Sequence, residues 1–184
     1  KDGPVGYHPR SIIIRNVKEI LSALLYQVSL NQIEKYFLTI DNEQQEKDDF
    51  NIKLLDGVKD FLLDNVDQYN MTVFTSDRKK NAEHAFTKLG IISYFKLVLG
   101  GDSVNKSKPN PEGINSACNT IGVKPSNTAY ITDTHNDLIM AKNAKLPLKI
   151  GILTGLGNKS DLIDLADFVF EDFDHFSKYL YANK

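Results

Sequence analysis

One cysteine, Cys118, stands in the whole chain, so no internal disulfide can form. Such sparing use of cysteine fits a reducing compartment. An excess of positive charge is also missing: the formal net charge is -2 and no basic block stands out. That argues against a nucleic-acid duplex as partner, because a duplex binder carries a basic stripe. No apolar run approaches a membrane span, since "SIIIRNVKEILSALL" is broken by Arg15, Lys18 and Glu19. No stretch reads as a signal peptide either. The expectation is a cytoplasmic globular protein. Its 184 residues, 41% hydrophobic and 25% charged, are enough for one domain with its own core and a small attached subdomain.

Two regimes of pattern follow one another. From about Ser11 to Phe50 the periodicity is helical throughout. Ile13, Val17, Ile20, Leu21, Leu24 and Val28 recur at three-to-four-residue spacing, as on one face of an amphipathic helix. Ser29 and Gln32 form a capping-box pair for a second helix bearing Ile33, Phe37 and Ile40. The polar tract "DNEQQEKDD" then reads as a solvated linker, and the whole segment as a helical hairpin. From Asp56 onward helices and strands alternate. Strands are expected at "MTVFT", "KLVLGG", "TAYIT", "KIGIL" and "DFVFE". Helices are expected at "DGVKDFLLDNVDQY", "RKKNAEHAFTKLG", "NPEGINSACNTIG" and "NDLIMAKNA", with Pro111 at a first turn and Gly90 and Gly122 at C-terminal caps. This alternation predicts an α/β fold, a Rossmann-like parallel sheet with helices on both faces. Ligands of such sheets bind beyond the carboxyl ends of the strands.

Three of those ends carry polar groups. Thr75-Ser76-Asp77 follows the first strand, "DSVNKSKPNPEG" with Lys108 follows the second, and "TDTHND" with Asp133 and Asp137 follows the third. Each has an ordinary structural explanation. A Thr or Ser after a strand commonly caps the next helix. Acidic residues at a helix start favour its dipole. A lone lysine is usually a surface lysine. Their placement in this order on one edge has a chemical sense that none has singly. Carboxylate oxygens suit Mg²⁺, which completes its shell with water and phosphate oxygens. A lysine and a hydroxyl beside them can hold phosphoryl oxygens and offset charge in transfer. This set describes a phosphoryl-transfer site that still wants a nucleophile.

From about Leu54 to Tyr179 the chain resembles the haloacid dehalogenase superfamily, in its phosphoglycolate-phosphatase-like branch. "VFTSDR" is similar to that family's second motif, "GGDSVNKSKPNPEG" to its third, and "AYITDTHNDLIMAKNA" to its fourth. "LLDGVKDFL" resembles the entry into the family's core and "GILTGLGNKSDL" its loop after the fifth strand. Thr132 departs from the pattern, standing where the family usually has Gly, with an expected disturbance of the backbone there. The resemblance implies that Thr75 hydrogen-bonds the transferring phosphoryl group and that Lys108 neutralises nucleophile and phosphate. It implies that Asp133 binds Mg²⁺ directly and Asp137 acts behind it or through water. "TGLGN" is glycine-rich but lacks the spacing of a phosphate-binding P-loop.

The family's first motif is Asp-x-Asp-Gly-Thr or a variant, and Lys1-Asp2-Gly3-Pro4 matches it from its second position. On that match Asp2 is the general acid/base and a metal ligand through its carbonyl, and the nucleophilic aspartate precedes Lys1. The alternative is that Asp-Gly is a common turn. The resemblance also implies a first strand lying between the strands that end at Thr75 and Thr132. Residues 1–10 would then close the first catalytic loop, 11–50 form a small helical cap, and 51–184 form the α/β core. What is implied is a Mg²⁺-dependent phosphatase acting on a small phosphorylated metabolite through an aspartyl-phosphate, as a monomer or homodimer. A phosphomutase and a non-catalytic binding relative are the alternatives. His135 is expected to be a loop residue rather than a base, and Cys118, on the face of Ile114 and Ile121, a core residue.

Overall fold

The computed structural model describes Arg15 and residues 17–19, 29–46 and 52–183. Contacts divide the chain into Lys1–Ile52 and Lys53–Lys184. In the first unit Arg15 and residues 17–19 are helical, whereas Ile13, Ile20, Leu21, Leu24 and Val28 of the expected stripe lie outside the described residues. Helix α1 spans Leu30–Glu46. Its start is the expected capping box: the Gln32 amide donates to Ser29 Oγ at 3.2 Å, and Ser29 N–H donates to Gln32 Oε1 at 2.8 Å. Ile33 is buried and Phe37, four residues on, is half-buried, while Glu34 and Lys35 are exposed, as one-sided periodicity requires. The solvated linker expected from Asp41 does not begin there, because α1 continues through Glu46. Glutamine and glutamate are good helix formers, and no Gly or Pro interrupts them.

The second unit alternates as its pattern predicts: α2 (Val58–Asn65), β1 (Thr72–Phe74), α3 (Lys79–Lys88), β2 (Leu97–Leu99), α4 (Glu112–Ile121), β3 (Ala129–Thr132), α5 (His135–Asn143), β4 (Leu148–Ile152), α6 (Lys159–Leu162), β5 (Phe168–Phe170) and α7 (Phe173–Ala182). All strand pairs are parallel, as helical crossovers demand. β1 pairs with β2, Val73 opposite Val98. β4 lies between β3 and β5, with Ile131 opposite Ile150 and Ile150 opposite Phe168. Among the described residues these are two separate sheets, and no ladder joins β1 to β3.

The two sheets nevertheless share one apolar layer and adjoin at the other. Period-two alternation sends Ile131, Ile150 and Ile152 to one face, where they meet Phe61 and Leu62 of α2 and Phe176 of α7, with Met71 just before β1 packed alongside. Phe74 of β1 and Tyr130 of β3 pack instead against Ile114 and Cys118 of α4 and Met140, Ala141 and Ala144 of α5. Cys118 is thus in the core, 2% exposed. The strands bordering the break are incompletely covered, β1 half-buried along its length and β3 exposed at its start, and so is β5 at the other edge of its sheet. Parallel strands roofed by helices on both faces are ordinarily buried throughout.

Helix α5 ends on an unusual residue. Lys145 has φ 58°, the left-handed conformation in which helices prefer glycine, and it is held there while Leu146 N–H donates to Ala141 O at 3.0 Å. Helix α7 and the single turn α6 carry no signal in the pattern reading. The aromatic run of α7 matches its burial, since Phe173 meets Phe61 edge-on at 5.1 Å. Among the described residues no helix is long and apolar enough to cross a membrane.

Candidate active site

The carboxyl ends of β1, β2 and β3 bring four of the five expected site residues to one edge; Asp2 lies outside the described residues. Thr75 extends the β1–β2 ladder by one residue, its N–H donating to Leu99 O at 3.0 Å. Its hydroxyl oxygen accepts the Asp77 amide at 3.1 Å, which aims Oγ1 while leaving the hydroxyl proton to be donated elsewhere. Thr75 does not cap the next helix. Arg78 occupies that position with no side-chain cap bond, and the Lys79 amide donates instead to Asp102 Oδ1 at 2.9 Å, from the loop after β2. Gly101 N–H in turn donates to the Asp77 carbonyl at 2.8 Å, so the loops after β1 and β2 are tied together in both directions.

Lys108 bridges the two sheets. Its Nζ donates to the Phe74 carbonyl at 3.0 Å and to Asp137 Oδ2 at 2.9 Å, and sits 4.9 Å from the centre of the Phe74 ring. Both charged side chains are only 12% exposed, so this is a largely desolvated pair and not a surface lysine. The loop that presents Lys108 is itself pinned at both ends. Glu112, in the first turn of α4, accepts Asn105 N–H at 2.9 Å, Asn105 Nδ2 at 3.1 Å and Lys106 N–H at 2.9 Å. The Asn105 amide above all, with Lys106 and the Asn105 side chain, holds the Glu112 carboxyl below its ordinary value. Beyond Lys108 the peptide to Pro109 is cis, and Asn143 at the end of α5 donates to the Pro109 carbonyl at 3.0 Å.

The acidic pair is relieved of capping duty by Thr134, whose Oγ1 accepts the Asp137 amide at 3.3 Å. Asp137 is free to act as a charge, and its Oδ2 receives both Lys108 and the Thr132 hydroxyl, the latter at 3.1 Å. Thr132 was expected only to disturb the backbone. Instead its buried hydroxyl is a working part of the cluster, donating to Asp137 and accepting Thr134 N–H at 3.2 Å. Asp133 points toward the loop after β4, where its Oδ2 accepts Leu156 N–H at 2.9 Å. Burial, followed by the Asp137 and Asp133 charges, pushes the Tyr130 phenol well above its ordinary value, so it stays neutral beneath the site. His135 opens α5 with Nδ1 2.9 Å from the Asp161 carbonyl, a partner that engages it structurally.

The donor set fits a hard divalent cation. Two carboxylates four residues apart, each with its Oδ1 uncommitted to a described donor, match what Mg²⁺ asks of a protein when water and phosphate fill the rest. Among the described residues no group of three or more His, Cys, Asp or Glu side chains is placed to hold a metal ion. Thr132, Asp102, Glu112, Asn143 and the Leu156 amide escaped pattern reading as contributors. Thr132 alone left a signal, a hydroxyl at a departure from the family pattern.

A family model for haloacid dehalogenase-like hydrolases matches residues 10–149. A phosphoglycolate phosphatase of Neisseria meningitidis is 34% identical over 88 residues, covering 48% of this chain and 37% of that protein. A phosphoglycolate phosphatase of Rhodobacter capsulatus is 39% identical over 80 residues, 44% of this chain and 36% of that one. These matches thus span well under half the length of the curated relatives. Among solved structures, a predicted phosphoglycolate phosphatase from Haemophilus somnus superposes with a TM-score of 0.76 at 20% identity, over 96% of this chain and 80% of that one. At that identity the likeness speaks for the fold. With the family model covering most of its length, the chain belongs to the haloacid dehalogenase-like hydrolases.

Proposed function

We propose that this protein is a Mg²⁺-dependent phosphatase that hydrolyses a small phosphomonoester through an aspartyl-phosphate. The observation that carries the proposal is the Lys108–Asp137 pair, which holds the ends of β1 and β3 together and places an ammonium beside Thr75. The names of the curated relatives favour phosphoglycolate as the first substrate to try. The nucleophile in this reading is an aspartate immediately before Lys1. Its strand would run between β1 and β3, where the two sheets are not joined.

A carboxylate oxygen of that aspartate attacks phosphorus, and the bond from phosphorus to the ester oxygen breaks. The ester oxygen keeps the electron pair and takes a proton from Asp2. Thr75 donates its free hydroxyl proton to a phosphoryl oxygen, and Lys108 offsets the negative charge of phosphate and nucleophile. Asp2, now a carboxylate, accepts a proton from the water that attacks phosphorus, and phosphate departs as the aspartate is regenerated. Asp133 and the Asp2 carbonyl would hold Mg²⁺, with Asp137 behind them. Bound there, Mg²⁺ offsets charge on the phosphoryl oxygens. Asp137, engaged by Lys108 and Thr132, keeps the ammonium from drifting.

The test uses the protein with its natural sequence upstream of Lys1. Phosphate release from phosphoglycolate and from an aryl phosphate is measured with Mg²⁺, with chelator, and after Asp133→Asn. Mg²⁺-stimulated release that survives Asp133→Asn overturns the metal assignment. A residue other than aspartate before Lys1 overturns the nucleophile. Transfer within a sugar phosphate without phosphate release would show a mutase.

A further inference from the structure

The glycine-rich segment "TGLGN" after β4 is not a phosphate loop, yet it closes around Asp133. Leu156 N–H donates to Asp133 Oδ2 at 2.9 Å, and Gly157 N–H donates to the Asp133 carbonyl at 2.9 Å. Backbone therefore grips the same aspartate at its side chain and at its main chain. A β-carbon added at Gly155 would lie 1.8 Å from Asp133 Oδ2 and 2.3 Å from its Cγ. One added at Gly157 would lie 2.3 Å from the Asp133 carbonyl oxygen.

We propose that the 155–157 loop is the positioning element of Asp133, fixing Oδ2 so that Oδ1 alone is presented to a cation. The inference rests on the metal reading of Asp133 above and assigns it an orientation and a cause. Glycine at 155 is required by close approach and not by backbone twist, since its φ lies outside the left-handed region. An alanine there would meet Asp133 at its carboxylate and also at its Cβ, 2.5 Å away, so Asp133 has to shift as a whole and not merely rotate. At Gly157 the obstacle is main chain, which cannot turn away. Gly155→Ala thus displaces Asp133 itself, while loss of the Leu156 N–H releases Oδ2 alone.

Loss of a group that orients a metal ligand characteristically costs about 10–100-fold in affinity. The experiment measures Mn²⁺ binding by electron paramagnetic resonance, with circular dichroism as the check on folding, on the protein with its natural upstream sequence. The parent, Asp133→Asn, Gly155→Ala and Leu156→Pro are compared; the last removes the donating N–H without placing a β-carbon at 155. Gly155→Ala, by displacing Asp133, is expected to raise the half-saturating Mn²⁺ concentration about tenfold or more. Leu156→Pro is expected to raise it as well, and decides the matter if the alanine variant does not fold. Parent-like binding in a folded Gly155→Ala, or in Leu156→Pro where that variant decides, overturns the role of the loop while Asp133→Asn still abolishes binding. A parent that binds no Mn²⁺, or whose binding survives Asp133→Asn, overturns the metal reading and this proposal with it.

Discussion

Breaking the Lys108–Asp137 pair from both sides should cost about as much as removing Lys108 alone, and well below the sum of the two single costs. Lys108→Met keeps most of the stem but removes the ammonium. Asp137 Oδ2 then retains only the Thr132 hydroxyl, and the Phe74 carbonyl loses its Lys108 donor. A buried pair that loses one member costs about 3–5 kcal/mol, because the remaining charge stays desolvated. Each side chain here keeps 12% exposure, so water reaches the edge of the pair and the lower end applies, about 3 kcal/mol. Asp137→Asn removes the charge but keeps an acceptor, for about 2 kcal/mol on the scale of hydrogen bonds to charged groups. The double variant has no stranded charge, and should cost about 3 kcal/mol where the single costs would sum to about 5. The coupling energy is then about 2 kcal/mol. Urea unfolding followed by circular dichroism measures all four proteins. For a chain of this length the Lys108→Met loss corresponds to a fall in Tm of about 6–12 °C. A coupling energy below about 0.5 kcal/mol, the range of exposed surface pairs, would refute the claim that this pair ties the two sheets together.

Three further outcomes are expected. Lys145→Gly should stabilise the protein by about 1 kcal/mol in urea unfolding, because only glycine takes the left-handed conformation at φ 58° without steric cost. Asp102→Ala should lower stability by about 1 kcal/mol, the usual cost of a lost helix cap, since the Lys79 amide loses its acceptor. Glu112 has a folded pKa below its ordinary 4.5, so its contribution is fully present above that value and is lost as pH falls through the lower folded value. A stability-pH titration should therefore show a shallower acid limb in Glu112→Gln than in the parent.

The alternation of helices and strands was legible because each segment carries its own period. "TAYIT" and "KIGIL" are short and β-branched, "NPEGINSACNTIG" is bounded by a proline and a left-handed glycine, and all fold where the pattern puts them. The linker expected from Asp41 is helix as far as Glu46, because glutamine and glutamate favour helix however polar the tract. Helix α7 went unseen although Asp172 caps it by accepting the His175 amide at 2.8 Å, because its aromatic residues read as readily for a strand as for a helix. In the site, residues that act through their own charge or hydroxyl were visible as types at strand ends. Those that act through a carbonyl, an amide or a missing β-carbon were not, since nothing in a one-letter sequence shows that Pro109 O meets Asn143 or that Leu156 N–H meets Asp133.

That division explains why the same edge looks ordinary residue by residue and organised as a whole. Thr134 performs the capping that might have been asked of Asp133 or Asp137, and Asp102 supplies the acceptor that might have been asked of Thr75. With those duties met by neighbours, the polar groups at the strand ends are not consumed in terminating secondary structure. Lys108 spends its charge across the break between the sheets, and Asp133 keeps one oxygen uncommitted to a described donor. A desolvated ion pair is weak evidence for stability by itself, because apolar side chains of similar volume often serve a core as well or better. Its retention where two half-exposed parallel strands face an unjoined break is more economically explained by chemistry at that edge. The coupling energy, together with Mn²⁺ affinity read on the same Lys108→Met and Asp137→Asn variants, separates the two accounts, since a purely structural pair predicts the first without any change in the second.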